Sequence, residues 1–198
     1  MEQHIANVKA HGVPVVVAVN AFINDSAAEL EWVRERSREV GAVDAAVSTH
    51  WADGGQGAEA LAKAVVRATE ERSTFRHLYD VVWPIKKKVQ TIATQMYGAS
   101  GVSFDAAAER DIELAQQVGL DRLPICMAKT PLSLTHDPAL KGRPSGFTLP
   151  IKEVRMLAGA GFLTAVCSGI QLMPGLPKKP AGERIGIDPG TGEIVGLS

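Results

Sequence analysis

Cysteine is scarce in this sequence, with two in 198 residues, and neither Cys126 nor Cys167 has a CxxC or Cys/His partner nearby. That excludes a disulfide-stapled scaffold and a cysteine-held metal. Both thiols fall in apolar, strand-like runs and are expected to be buried. An excess of either charge is lacking too, since 21 Lys and Arg face 22 Asp and Glu. No global field steers the chain to nucleic acid or to an anionic membrane. The densest basic runs, Lys86 to Lys88 and Lys178 to Lys179, read as solvated faces. No apolar run approaches the roughly 18 residues that a membrane helix needs. Met1 to Ala10 is polar and amphipathic where a secretory signal is apolar. A soluble, cytoplasmic protein with neither nucleic acid nor membrane as partner is the expectation. Enzyme signatures are missing as well: the sequence holds no GxxxxGK[ST], GxGxxG, HExxH or GxSxG.

What is present is the composition of a globular domain, 45% hydrophobic and 22% charged. A chain of this length buries roughly 70% of its unfolded surface, enough for its own core. Val13 to Val19 (VPVVVAV) is a continuous β-branched run suited to a central parallel strand covered on both faces. After the loop Asn20 to Ser26, a helix is predicted from about Ala27 to Val40, capped by Asp25 or Ser26 and stopped at Gly41. A second strand, Val43 to Ser48, leads through Thr49 to Gly57 (THWADGGQG) into another helix, with Leu61, Val65 and Ala68 on one face. This alternation is the βαβ signature, so the two strands run parallel and both following loops lie at one edge of the sheet. That carboxyl edge is where ligands bind in open α/β sheets.

A soft boundary falls near residues 70–84. Beyond it the pattern predicts helices from Pro84 to Tyr97 and from Asp105 to Val118, and a strand from Leu123 to Ala128. A long polar loop, Lys129 to Gly146, is too long for a simple connector. Then come a short helix near Ile151 to Leu157, a strand Phe162 to Cys167, a proline loop Met173 to Pro180, and a closing hairpin within Ile185 to Leu197. The expected fold class is α/β, a mostly parallel sheet with flanking helices and a closing β-hairpin, forming one unit over residues 1–198.

The residues placed at the sheet's carboxyl edge are the site candidates. Phe22 and Trp51 each lie just past the end of one of two consecutive strands, and flat side chains there can sandwich a planar heterocycle. Packing into the sheet edge is the alternative for both. Asn20, Asp25 and His50 share that edge, with helix capping or turn formation as the competing role for Asp25. Gly54 and Gly55, before a helix, can present backbone N–H groups to an anion or simply make a tight turn. The strand VVVAVN resembles the base-reading strand of P-loop GTPases, which continues Asn-Lys-x-Asp, but Ala21 follows Asn20 here.

Taken in order, HGVPVVVAVNAF, THWADGGQGAEALA, LYDVVWPI, MYGASGV, LPICMAKT, SLTHDP, GRPSGFTLPIKEVR, GAGF, MPGLPKKP and IDPGTGEIVGL run over almost the whole chain. In these stretches the sequence resembles the C-terminal portion of formate–tetrahydrofolate ligases. The resemblance implies a P-loop NTPase-like α/β fold whose phosphate loop lies in an N-terminal portion not included here. It further implies an ATP-dependent ligase that phosphorylates formate and transfers the formyl group to tetrahydrofolate. Phe22 and Trp51 would stack the folate, Pro174 and Gly175 would border the cleft, and no catalytic residue is assignable in this chain. ATP and Mg²⁺ are implied for the complete enzyme, as are a monovalent cation and a homo-oligomer. Two other readings stand beside it: a non-catalytic folate or nucleotide binding module, and a structural or oligomerisation domain.

Overall fold

A computed structural model describes residues 1–170 and 178–196. The chain opens with helix α1 (Glu2–Ala10), which plants Ile5 against Val15 and Ala42. Gly12 then turns the chain at φ 73°, and a Cβ there would come within 2.3 Å of the Thr74 carbonyl oxygen. Only glycine serves at this crossing. Strand β1 (Val16–Asn20) follows, then α2 (Ala27–Glu39) and β2 (Asp44–Ser48). The two strands pair in parallel, Val16 opposite Asp44 through Asn20 opposite Ser48. Helix α2 begins with a capping box: the Glu29 amide donates to Ser26 Oγ, and the Ser26 amide donates back to the Glu29 carboxylate at 3.0 Å. Short α3 (His50–Asp53) and α4 (Glu59–Glu70) complete this half, α4 burying Ala64 and Ala68.

The second half is built on α5 (Ile85–Tyr97), β3 (Gly101–Phe104), α6 (Ala106–Gln117), β4 (Ile125–Ala128), β5 (Thr148–Leu157) and β6 (Phe162–Cys167). Its strands form one mixed sheet in the order β3-β5-β6-β4, with β3-β5 and β4-β6 parallel and β5-β6 antiparallel. The main core lies here: Ile85, Val89 and Ala93 of α5 and Ala108, Ile112 and Ala115 of α6 close over Leu149, Ile151 and Leu163. At about 0.8 kcal/mol per buried CH₂ this cluster is the largest apolar contribution to stability among the described residues. A hairpin, β7 (Gly186–Ile187) and β8 (Ile194–Val195), stands apart from that sheet.

The α/β class, the flanking helices and the hairpin are as read from the sequence, with several corrections. Besides the hairpin, the described strands form two sheets where one was expected, with three pairings parallel and one antiparallel. The segment Ile151 to Leu157, expected as a short helix, lies within β5. Its buried positions Leu149, Ile151 and Val154 are spaced first by two and then by three because a bulge between Ile151 and Glu153 shifts the register. That spacing imitates a helix. Strand β1 is an edge strand among the described residues, with Ala18 and Asn20 exposed, where a central strand was expected. Cys126 is exposed, since alternate residues of edge strand β4 face outward; only Cys167 is buried.

Lys88 departs furthest from its expected solvated face. Its side chain is fully buried, and Nζ donates to the carbonyls of Val81 (3.2 Å), Asp121 (2.7 Å) and Leu123 (2.7 Å). Burial pushes this ammonium below its ordinary pKa, opposed by the Asp121 charge. Its neighbours are surface groups as expected: Lys86 pairs with Glu109, and Lys87 lies 3.5 Å from the centroid of the Trp83 ring.

Candidate functional site

Strands β1 and β2 end side by side, and their following turns bring Phe22 and Trp51 together. The rings stack with centroids 5.8 Å apart and planes inclined by 20°. Both remain exposed, Phe22 at 58% and Trp51 at 53%, so they have not packed into the sheet edge. Trp51 is held through its indole and Phe22 through its backbone. Trp51 Nε1 donates to the Ala21 carbonyl at 2.7 Å. The Phe22 amide donates to Asp25 Oδ2 at 2.8 Å, and the Asp25 amide returns a 3.0 Å bond to the Phe22 carbonyl. Asp25 is therefore the turn former that fixes Phe22, and Ser26, next along, caps α2.

The pair is closed. A third ring lying between two others needs their planes about 7 Å apart, two contacts of ~3.5 Å each. A sandwiched ligand therefore requires one ring to move. Trp51 is tied by its indole N–H, whereas the Phe22 side chain has no polar anchor.

Other candidates fall around this pair in distinct roles. His50 Nδ1 lies 3.0 Å from the hydroxyl of fully buried Ser48, which fixes the imidazole at the start of α3. Asp53 accepts from Thr49 Oγ1 at 2.6 Å, a bond within the loop. Asn20 ends β1 exposed and, with Asp25 and Glu29, borders a cavity of about 580 Å³ whose other walls are apolar. That cavity adjoins the aromatic pair without being lined by either ring.

Two of the three glycine amides in this loop are bonded within it. The Gly54 amide donates to the His50 carbonyl, and the Gly57 amide to the Gly54 carbonyl. A Cβ on Gly57 would meet the Thr49 carbonyl carbon at 2.6 Å, so that glycine serves close packing, whereas Gly54 and Gly55 face open space. Pro174 and Gly175 lie outside the described residues.

Two features escaped the sequence reading. Ile23, 88% exposed beside Phe22, extends the apolar rim; its one signal was an aliphatic residue next to an aromatic in the loop Asn20 to Ser26. The other is the order of the 129–146 loop. Ser133, Leu134 and Thr135 are buried, and Ser133 Oγ donates to the Leu140 carbonyl at 2.5 Å. At its root Lys129 Nζ donates to the carbonyls of Thr130 and Ser133 and lies 5.0 Å from the centroid of the Tyr97 ring. Burial lowers the Lys129 pKa, raises that of Tyr97 to about 12 and raises that of Cys167 to about 11.

The Phe22–Trp51 site is a solvent-facing, mutually stacked aromatic pair at the carboxyl edge of a parallel strand pair. The class so defined is an α/β protein with a solvent-facing aromatic clamp. The model of the family described as formate–tetrahydrofolate ligase matches residues 1–198. The chain is 48% identical over its whole length to the cytoplasmic C-1-tetrahydrofolate synthase of Schizosaccharomyces pombe, of which it covers 21%. It is 46% identical to formate–tetrahydrofolate ligase 3 of Rubrobacter xylanophilus, covering 36% of that protein. A Drosophila melanogaster cytoplasmic C-1-tetrahydrofolate synthase is 49% identical over 98% of this chain, which spans 20% of that relative. The chain belongs to the formate–tetrahydrofolate ligase family. It spans between about a fifth and a third of the length of these relatives.

Proposed function

We propose that this chain is the folate-binding portion of a formate–tetrahydrofolate ligase. In the reaction the whole family chain would carry out, a formate oxygen attacks the γ-phosphorus of ATP, giving formyl phosphate and ADP. N10 of tetrahydrofolate then attacks the formyl carbon, phosphate leaves and N10 gives up a proton, yielding 10-formyltetrahydrofolate. Phe22 and Trp51 take the flat ring system of the folate between their faces. Asp25 and Ala21 set the two rings from the backbone side. Positioning of this kind accelerates transfer by presenting the amine to the acyl phosphate in a fixed orientation.

The observation that carries this reading is the exposed, stacked pair of aromatics at the ends of adjacent parallel strands. ATP and Mg²⁺ do not fit the residues in hand. The loop amides of Gly54 and Gly57 are bonded internally, and among the described residues no group of three His, Cys, Asp or Glu side chains is gathered to hold a metal. In the P-loop NTPase-like reading of the fold, the phosphate loop and the holders of formyl phosphate belong to the rest of the family chain. Assembly as a homo-oligomer in the cytoplasm belongs to the same proposal.

Calorimetric titration with tetrahydrofolate tests it. The chain should bind, and Trp51→Ala should weaken binding roughly tenfold or more, since stacking contributes on the order of 0.5–1.5 kcal/mol beyond burial. Equal affinity in the variant overturns the stacking assignment. With formate, ATP and tetrahydrofolate the chain alone should form no 10-formyl product. Product formed only on adding the remaining portion of a relative supports the ligase reading over a non-catalytic folate or nucleotide module. Failure of both binding and activity supports a structural or oligomerisation role.

A further inference from the structure

Two lysine ammoniums are drawn out of solvent in the second half of the chain, and their charges are met differently. Lys88 is enclosed and gives all three of its N–H groups to carbonyls. Lys129 is half-buried and donates to two, those of Thr130 at 3.0 Å and of Ser133, which leaves one N–H without an acceptor among the described residues. No carboxylate compensates it. Among the described residues Lys129 forms no ion pair, and burial pushes its pKa down with Cys167 as the opposing charge. Cys167 is itself kept neutral by burial, its pKa raised to about 11. Near neutral pH the Lys129 charge therefore stands alone, whereas charges drawn from water are ordinarily paired.

Lys129 also stands where a ligand can reach it. Strand β4 ends at Ala128 opposite Val166 of its parallel partner β6, so Lys129 lies at the carboxyl edge of that pair, the edge that receives ligands in open α/β sheets. A cavity of about 370 Å³ opens there between α1, the end of α5 and the 129–146 loop, with His4, Asn7, Tyr97, Lys129 and Thr130 as its polar wall. Hydrogen bonds hold the wall in place. Asn7 Nδ2 donates to the Met96 carbonyl at 2.9 Å, pinning α1 to α5, and the Leu132 amide donates to Thr130 Oγ1 at 3.2 Å, shaping the loop. The Tyr97 hydroxyl and the His4 imidazole have no hydrogen-bond partner among the described residues.

The charge around the cavity has one sign. No Asp or Glu among the described residues lines it. Gly142, in the wall, stands between exposed Lys141 and Arg143, and Lys141 Nζ lies 3.5 Å from the carbonyl of Leu132, another wall residue. The acids on the same segments are engaged elsewhere: Glu2 pairs with Arg36 at 2.7 Å, and Asp137 accepts from the Ala139 amide at 2.8 Å.

We propose that this cavity binds a small oxyanion, a carboxylate or phosphate group, with Lys129 supplying the charge and the Tyr97 hydroxyl and His4 supplying further hydrogen bonds. An ammonium with a free donor, an unpartnered phenol hydroxyl and a wall without acids attract an anion and repel a cation. The site shares no residue with the Phe22–Trp51 pair and does not depend on folate stacking there.

The test titrates the chain with sodium phosphate and, separately, with sodium acetate at constant ionic strength, with sodium chloride as the reference, and follows backbone amides by NMR. Saturable shifts centred on Thr130, Leu132 and Gly142 are expected. Saturation by phosphate alone assigns a phosphoryl group, by acetate alone a carboxylate, and by both an oxyanion site that accepts either. Lys129→Met should weaken binding at least about tenfold, the loss of a charge-assisted hydrogen bond. Tyr97→Phe, which keeps the ring and removes the hydroxyl, should weaken it about fivefold and serves as the second variant because Lys129 also ties the loop. Shifts that never saturate, or that sodium chloride reproduces, overturn the proposal. So does unchanged affinity in both variants.

Discussion

The indole N–H of Trp51 is tied at 2.7 Å to the carbonyl of Ala21, the residue that joins the end of β1 to Phe22. One aromatic of the clamp is thus anchored on the strand that carries the other. Trp51→Phe keeps a flat face and loses the tie, at a net value of about 1 kcal/mol for a hydrogen bond of this kind. Tetrahydrofolate affinity should fall about fivefold in this variant, less than in Trp51→Ala. Calorimetric titration of the two variants side by side checks the order; equal loss in both would remove the tie from the account.

Asp25 offers a test of positioning without ligand contact. Its carboxylate accepts from the Phe22 amide at 2.8 Å and is placed to set the angle at which the phenyl ring faces Trp51. Asp25→Ala should weaken folate binding severalfold while α2, whose cap is Ser26, keeps its helicity. Asp25→Asn retains an acceptor and should recover most of the affinity. Titration calorimetry gives the affinities, and circular dichroism confirms that the helix is intact.

Lys88 ties helix α5 to two other segments by donating to the carbonyls of Val81, Asp121 and Leu123. Methionine matches its length but leaves three acceptors short of a donor, at about 1 kcal/mol or more for each buried group. Lys88→Met should destabilise the chain by about 3 kcal/mol in urea unfolding, with the slope of the transition unchanged. A loss under about 1 kcal/mol would mean that water replaces the ammonium.

Sequence patterns reveal much of this architecture where one local rule acts alone. Helix α2 was legible because Asp25 or Ser26 offered a cap and Gly41 a stop, and the strand–loop–helix alternation placed Phe22 and Trp51 at one edge. Strand β5 was not, because the bulge after Ile151 turns a period of two into an apparent period of three. Helix α1 has a weak apolar face, a single buried residue, Ile5, and its partners Val15 and Ala42 come from later segments. Lys88 sat in a basic run whose neighbours are solvated, and the carbonyls that receive it lie 7 to 35 residues away. The contact between Phe22 and Trp51 was legible as proximity but not as closure, since ring separation depends on the Ala21 and Asp25 bonds.

The two thiols differ in access. Cys126 is exposed on β4, whereas Cys167 is buried at the end of β6 with its pKa raised by burial to about 11. Iodoacetamide at pH 8 should therefore modify Cys126 while Cys167 stays intact until denaturant is added, as read by peptide mass mapping. The same burial sets an alkaline limit. An unfolded thiol ionises near pH ~8.5, below the folded value, so folding favours the neutral form and its contribution is fully present below that pH. It is lost progressively as pH rises through about 11. Cys167→Ala removes this titration, so the stability difference between the parent and variant chains should narrow as pH is raised from 8 to 11. A difference that stays constant across that range would show that Cys167 is not held neutral by the fold.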